Sequence, residues 1–404
     1  MPLYYIRTLI IAFSFLPSSK SIAALIDAAT DLLSEHIEQE FSLNRIKSIE
    51  NHGPATAIIF SPDCRYAFTG VGPNHMPYDH AYIVDLPSGN KHFKYLHPKA
   101  VCVASDFQFT RLAIFSPDSQ YLLVDSSNTS AQLHSLTIGF QKEFLHSSNH
   151  VLSIAVSSDS RYTLTGCADT IARVWDITKS SKPIKELKGH TSSISAVTFS
   201  HDGKFALTSS HDRTTRLWNL ATSETIKELK GVDIVSFVKF SPDDNYALLA
   251  ALNKVPRLWN LTTGESKELA GHNYFANSVV FSPDSNYILT GSWGKTAQLW
   301  DILSGKPIKE LTGHTDRVSS VAFSSNNKYA LTGSYDTTVR LWSVPSGRLI
   351  QVFANNIGPV LAVAFTPDTK HALVGAREGI SFWKIPNEDT FVIEELILKL
   401  QENQ

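Results

Sequence analysis

The chain has 404 residues, 43% hydrophobic and 18% charged, enough apolar material for a packed core, which excludes wholesale disorder. Lys and Arg number 36 against 38 Asp and Glu, a formal charge of −2 with the basic residues scattered, so no nucleic acid and no anionic membrane surface is expected as a partner. Three cysteines (Cys64, Cys102 and Cys167) and no CxxC argue against a disulfide scaffold and a cysteine zinc site.

Residues 1–24 open with one positive charge at Arg7, continue with an apolar run from Thr8 to Leu16, and leave through small residues around Ala23 and Ala24. That order is the pattern of a secretory signal peptide, and the run is too short to span a bilayer. The alternative is an apolar cap packed on the domain. With cleavage the protein is expected to be secreted or periplasmic, and otherwise cytoplasmic. No later segment approaches 18 apolar residues, so no stable membrane insertion of the mature chain is expected.

Residues 25–42 place Leu25, Ala29, Leu33, Ile37 and Phe41 four apart among acidic residues, the pattern of one amphipathic, acidic helix.

From residue 43 to 385 the chain repeats itself. A turn triplet recurs as Ser61-Pro62-Asp63, Ser116-Pro117-Asp118, Ser157-Ser158-Asp159, Ser200-His201-Asp202, Ser241-Pro242-Asp243, Ser282-Pro283-Asp284, Ser324-Ser325-Asn326 and Thr366-Pro367-Asp368. After a first interval of 55 residues, the spacing is 41 to 43. An apolar or alternating run precedes and follows each triplet, as in Ile194–Phe199 and Phe205–Thr208, which reads as a hairpin. A third run closes on tryptophan, as in Thr215–Trp218, and a shorter fourth follows, as in Ile226–Leu229. Four short strands per period of about 42 residues is the arithmetic of a propeller blade.

Gly189-His190 followed by Trp218-Asn219, Gly313-His314 followed by Leu341-Trp342, and the dipeptides Trp175-Asp176 and Trp300-Asp301 resemble the marks of the WD-repeat family. The resemblance implies an all-β, closed propeller of four-stranded antiparallel blades. Eight triplets and eight fourth-strand candidates point to eight blades, with seven plus a degenerate unit as the alternative. It further implies that the strand at Leu43–Ile49 joins the last blade, beside the strand ending at Trp383.

Two repeats carry a hydroxyl, a histidine and an acid in family positions: His190, Thr208, Asp212 and Trp218, then His314, Thr332, Asp336 and Trp342. Such a set resembles a catalytic relay. The resemblance implies instead a hydrogen-bonded network inside each blade, and a hydroxyl–histidine–acid set present twice in full fits scaffolding better than one active centre. Other repeats depart from it. The fifth has Leu249 and Asn253 and no histidine after Gly231; the sixth has Gly294 for the acid. The third has His150 three residues out of register, the second has His134 for the tryptophan, and the eighth has Val374 and Glu378. Blades one, two and eight are therefore expected to be the least regular. No phosphate loop, nucleophile elbow or HExxH is present, so no catalytic residue, metal or cofactor is assigned.

Family propellers often bind partners on the face bearing the turn between the second and third strands and the start of the innermost strand. By register those turns hold Ala168, His211, Leu252, Trp293, Tyr335 and Arg377, and the starts hold pairs such as Ser193 and Ser195, Phe275 and Asn277, and Arg317 and Ser319. Six of seven tryptophans end a third strand; Trp293 does not. Trp293, Tyr335, Phe275 and Arg317, with His211 at the margin, form the candidate partner-binding patch, since aromatics and Arg are enriched at interface hot spots. The alternative places Trp293 and Phe275 in packing against their own blade. Residues 386–404 read as a capped helical tail. The leading expectation is a monomeric, non-enzymatic scaffold for a protein or peptide partner. The second is a propeller enzyme or small-ligand protein using the central channel.

Overall fold

The structure, a computed structural model, describes residues 45–50, 55–71, 80–89, 91–95, 113–126, 130–146, 150–179, 181–251, 254–272, 274–354, 356 and 358–386. The segments expected from the sequence to be a signal peptide, an acidic helix and a helical tail lie outside these residues apart from Pro386, as do Leu252 and Asn253. The chain divides into two compact units, residues 1–46 and 47–404.

The second unit holds eight four-stranded antiparallel sheets. Blade one comprises Ala55–Phe60, Tyr66–Val71, His80–Asp85 and Lys91–Tyr95, and blade two Ala113–Phe115, Tyr121–Ser126, Ser130–Ser135 and Gly139–Leu145. Blade three runs Val151–Val156, Tyr162–Cys167, Ala172–Asp176 and Lys185–Leu187; blade four runs Ile194–Phe199, Phe205–Ser210, Thr214–Asn219 and Glu224–Lys230. Blade five is Val235–Phe240, Tyr246–Ala251, Arg257–Asn260 and Ser266–Glu268, and blade six Ala276–Phe281, Tyr287–Ser292, Ala297–Asp301 and Pro307–Leu311. Blade seven is Val318–Phe323, Tyr329–Ser334, Val339–Ser343 and Leu349–Phe353. Blade eight has Val360–Phe365, His371–Ala376 and Gly379–Lys384, with Arg45–Glu50, of which residues 47–50 fall in this unit, as its outer strand. The eight-blade count therefore holds, and seven does not. In blade eight the ladders joining Val360–Phe365 to His371–Ala376, and that strand to Gly379–Lys384, run without a break apart from the bulge near Val360 that most blades share.

The core lies between blades. Leu164 and Val174 of blade three pack with Val197, Phe199 and Trp218 of blade four, and Ile58 of blade one packs with Leu361, Leu373 and Ile380 of blade eight. Trp175, Trp218, Trp259 and Trp300 are all fully buried, each closing the third strand of its own blade.

The repeating triplet is explained by its turn. Ser200 Oγ donates to Asp202 Oδ1 at 2.7 Å and accepts the Phe205 N–H at 2.9 Å, while Asp202 accepts the Lys204 N–H. The same arrangement is found at Ser61, Ser116, Ser157, Ser241, Ser282, Ser324 and Thr366. It forces the next residue into left-handed backbone, from φ 56° at Cys64 to 68° at Gly203. A non-glycine residue there costs about 1–2 kcal/mol. Several of these residues offset that cost by bonding to the preceding blade. Ser119, Ser160 and Ser285 accept the N–H groups of Asp63, Asp118 and Asp243 at 3.0–3.1 Å, and Asp244 accepts those of His201 and Asp202. At blade one the residue is Cys64, whose Sγ donates to Phe365 O of blade eight at 3.4 Å.

A second tie runs along the outer strands. Lys142 Nζ donates to Ile177 O of the next blade at 2.7 Å, Lys227 Nζ to Leu261 O and Thr262 O at 2.5 and 2.6 Å, and Lys267 Nζ to Leu303 O and Ser304 O at 3.3 and 3.4 Å. Lys185 Nζ reaches Leu220 O and Ala221 O in the same way. Lys227→Met keeps the stem and removes the donors, so it is expected to lower stability by about 1 kcal/mol, read as a reduced urea midpoint.

A third tie corrects an expectation. Ser195 and Ser319, placed by register on the recognition face, are 9% and 1% exposed. Ser319 Oγ donates to Gly333 O and to Val360 O of the next blade at 3.0 and 2.6 Å, and Ser195 Oγ reaches Ser209 O and Val235 O. A bulge between Ile194 and Ala196, and between Val318 and Ser320, turns these side chains inward.

Candidate functional site

In blade four His190 lies just before the first strand. Its Nδ1 meets Asp212 Oδ2 at 2.8 Å, its Nε2 meets Thr208 Oγ1 at 2.7 Å, and Trp218 Nε1 donates to the same hydroxyl at 2.7 Å. A carboxylate only accepts, so Nδ1 carries the proton, Nε2 accepts, and the Thr208 hydroxyl donates to it. Blade seven repeats this with His314, Asp336, Thr332 and Trp342 at 2.8, 2.8 and 2.9 Å. Both imidazole side chains are fully buried, as are Thr208 and Thr332. Each hydroxyl that would be the nucleophile of a relay is thus sealed under a tryptophan and cannot meet a substrate. Burial lowers the pKa of both histidines, against the pull of their aspartates. Burial alone would raise Asp212 and Asp336, but donors such as the Thr191 N–H, the Thr338 hydroxyl and the histidines hold both at about 2. The glycine before each histidine is set by the backbone, which at Gly313 has φ +122°, a conformation that residues with a Cβ rarely adopt.

The incomplete sets follow distinct routes. In blade six His272 bonds to Thr290, which also accepts from Trp300 Nε1 at 2.8 Å. Gly294 stands where the acid would be, and His272 Nδ1 has no partner among the described residues. In blade three the buried histidine is His146, not His150, which is exposed. His146 lies edge-on to Trp175 with ring centroids 5.2 Å apart, and its Nδ1 is 3.0 Å from Cys167 Sγ. Asp169 pairs with Arg173 at 2.7 Å instead. A thiol beside an imidazole is the geometry of a nucleophilic pair, but burial pushes Cys167 up to about 12 and His146 down to about 4. Both stay neutral, so the thiol is not activated. In blade eight Trp383 Nε1 donates to Asn356 Oδ1 at 3.0 Å, and Asn356 Nδ2 donates to Thr337 O and Phe353 O. Asn356 stands ten residues before Thr366, as His190 and His314 stand ten before Ser200 and Ser324, so it holds the histidine position of the eighth repeat and accepts the indole N–H that the missing threonine would have taken; sequence reasoning passed over it because it is not a histidine.

The loop-face residues stand above this layer. Trp293 and Tyr335 begin the turns after the second strands of blades six and seven. The Trp293 N–H donates to Phe275 O at 3.2 Å and the Tyr335 N–H to Arg317 O at 3.0 Å. Ser292 and Ser334, both buried, brace these turns by donating to Tyr274 O and Asp316 O. Arg317 is therefore held with its guanidinium carbon 3.8 Å from the Tyr335 ring centroid and 4.9 Å from that of Trp293. All three side chains are half-buried, and Phe275 beside them is 39% exposed, with Tyr274 at 63%. The cation joins blade six to blade seven through contacts with one ring from each. The structure thus brings together Trp293, Arg317 and Tyr335, with Phe275 attached through its carbonyl. His211 is exposed at the equivalent turn of blade four, its N–H on Ser193 O, and is not part of the stack. Among the described residues, no group of three His, Cys, Asp or Glu could hold a metal ion.

A family model described as WD domain, G-beta repeat matches four segments, residues 140–176, 181–219, 264–301 and 305–343. No curated protein matches the chain. The matched segments end on Asp176, Asn219, Asp301 and Ser343, each one residue past Trp175, Trp218, Trp300 and Trp342. These are the four tryptophans whose indoles bond to a threonine hydroxyl. With those four repeats inside a set of eight four-stranded blades, the chain is a WD-repeat β-propeller.

Proposed function

We propose that this propeller is a non-enzymatic scaffold that captures a protein or peptide partner on the loop face of blades six and seven. WD-repeat propellers generally act as protein-interaction scaffolds. The observation that carries the assignment to these blades is the Trp293–Arg317–Tyr335 stack. Side chains of these types dominate binding energy at interfaces, and here backbone bonds fix both aromatic turns before any partner arrives, so little ordering cost remains. The turns are held by main-chain and serine bonds that do not involve the rings. Trp293→Ala with Tyr335→Ala should therefore leave the melting temperature within a few degrees of the parent while weakening partner capture at least a hundredfold, as two hot spots of about 2 kcal/mol each would. Affinity purification of parent and double variant side by side, with quantitative mass spectrometry, makes the comparison. Equal recovery of every captured protein would remove the assignment.

A further inference from the structure

We propose that the partner segment seated on blades six and seven carries an internal Asp or Glu whose carboxylate pairs with Arg317. The pairing rests on the loop-face assignment above and names the chemistry the partner must bring. Arg317 differs from other partly buried arginines of the propeller. Arg173 meets Asp169 at 2.7 Å, Arg216 meets Glu228 at 3.5 Å, Arg257 meets Glu268 at 2.6 Å, and Arg340 donates to Gly313 O at 2.8 Å. Among the described residues the Arg317 guanidinium makes no hydrogen bond and no ion pair, and its partners are the rings of Tyr335 and Trp293. Asp316, its neighbour in the chain, accepts the Arg317 main-chain N–H at 2.7 Å and forms no ion pair with the side chain. A guanidinium has five N–H donors, and a ring face attracts its charge without supplying an oxygen to them.

Whatever covers the rings must therefore deal with the cation between them. A partner that closes over Trp293 and Tyr335 strips water from Arg317, and a charge taken out of water without a counter-charge is heavily penalised. A wholly apolar segment incurs that penalty in full, and a basic one adds repulsion. A carboxylate removes it, because its two oxygens accept two N–H donors of the arginine fork side by side. Lys295, exposed two residues past Trp293 and without an ion pair among the described residues, strengthens the preference for an acid. Aromatic surface lies on both sides of the cation, from Tyr274, Phe275 and Trp293 on blade six and from Tyr335 on blade seven. A carboxylate at a chain terminus would leave one side uncovered, so the acid belongs within the segment, flanked by apolar side chains.

A random peptide library displayed on phage and panned on the intact protein supplies the probes. The clones to keep are those that the parent retains and that Trp293→Ala with Tyr335→Ala loses. Their sequences should be enriched in Asp or Glu beside apolar residues. Resynthesised with Asn for Asp or Gln for Glu, each peptide should bind the parent at least tenfold more weakly, the loss that coupling between close charge pairs across an interface gives. Arg317→Met should bind acid and amide peptides alike, and Arg317→Lys, which keeps the charge without the fork, should fall between. The acid-to-amide comparison uses the parent alone and stands whether or not the Arg317 variants fold. Ring-dependent peptides that lack an acid or bind equally as acid and amide, or an acid preference undiminished in Arg317→Met, overturn the pairing and leave the loop-face assignment in place. Peptides retained equally by the ring variant, or no selected peptide at all, remove both.

Discussion

Thr332→Val should lower the stability of the propeller by roughly 2–4 kcal/mol, although the two side chains have nearly the same shape. The hydroxyl at Thr332 serves two buried neighbours at once, Trp342 Nε1 at 2.9 Å and His314 Nε2 at 2.8 Å. Valine leaves a donor and an acceptor without partners, and each such buried orphan costs about 1–3 kcal/mol. Blade five shows how a repeat lives without the hydroxyl: histidine and threonine are both gone, and the indole bonds elsewhere. It follows that Thr332→Val combined with His314→Val should cost less than the two single changes added together, because the second removes an orphan made by the first. Urea denaturation followed by tryptophan fluorescence measures all three. A single-variant loss under about 1 kcal/mol, or strict additivity in the pair, would show that the hydroxyl is not the hub of the set.

Acid should destabilise the protein in two successive windows, and the first belongs to histidine. Burial pushes His134, His146 and His272 down to about 4 from an ordinary value of 6.5, and at His146 the Arg173 charge adds to it. Between those limits the unfolded chain binds protons that the folded chain refuses, so stability is fully present above pH 6.5 and drains away as pH falls toward 4. For His134 and His146, each only 4% exposed, the loss is roughly 3 kcal/mol apiece by pH 4. The second window belongs to Asp212 and Asp336. Held at about 2, they contribute stability that is present above 3.8 and lost as pH drops to 2. His134→Leu should flatten the upper slope and leave the lower one unchanged. Stability curves taken at intervals from pH 7.5 to 2 separate the two, and a parent whose stability is constant from 6.5 to 4 would contradict the assignment.

The period was legible because its turn has little chemical freedom. A hydroxyl must accept the N–H five residues on, and Asp or Asn must accept the one between, so Ser/Thr-x-Asp/Asn persists even in blades whose tryptophan set has decayed. That is why eight triplets count eight blades while the family model matches four segments. The Trp293–Arg317–Tyr335 stack was legible from register, since one tryptophan stood outside the third strand. What escaped was a change of residue type at a regular position and a shift by one residue. Asn356 holds the histidine position of its repeat with an amide, His146 stands one residue before that position in its own repeat, and Ser195 and Ser319 are turned inward by a bulge that leaves no mark in the spacing.

The outer strand of blade eight has a consequence for biosynthesis. Arg45–Glu50 leaves the ribosome 329 residues before its neighbour Gly379–Lys384 begins (379 − 50). At roughly 5–20 residues per second that delay is about twenty seconds to a minute. Throughout it, a nascent ribbon with bare peptide edges must be kept from pairing with other polypeptides. Among the described strands the first made is matched only once the final one has been made, and a chaperone that shelters it during elongation would decide the yield of native molecules without altering any contact in the finished protein.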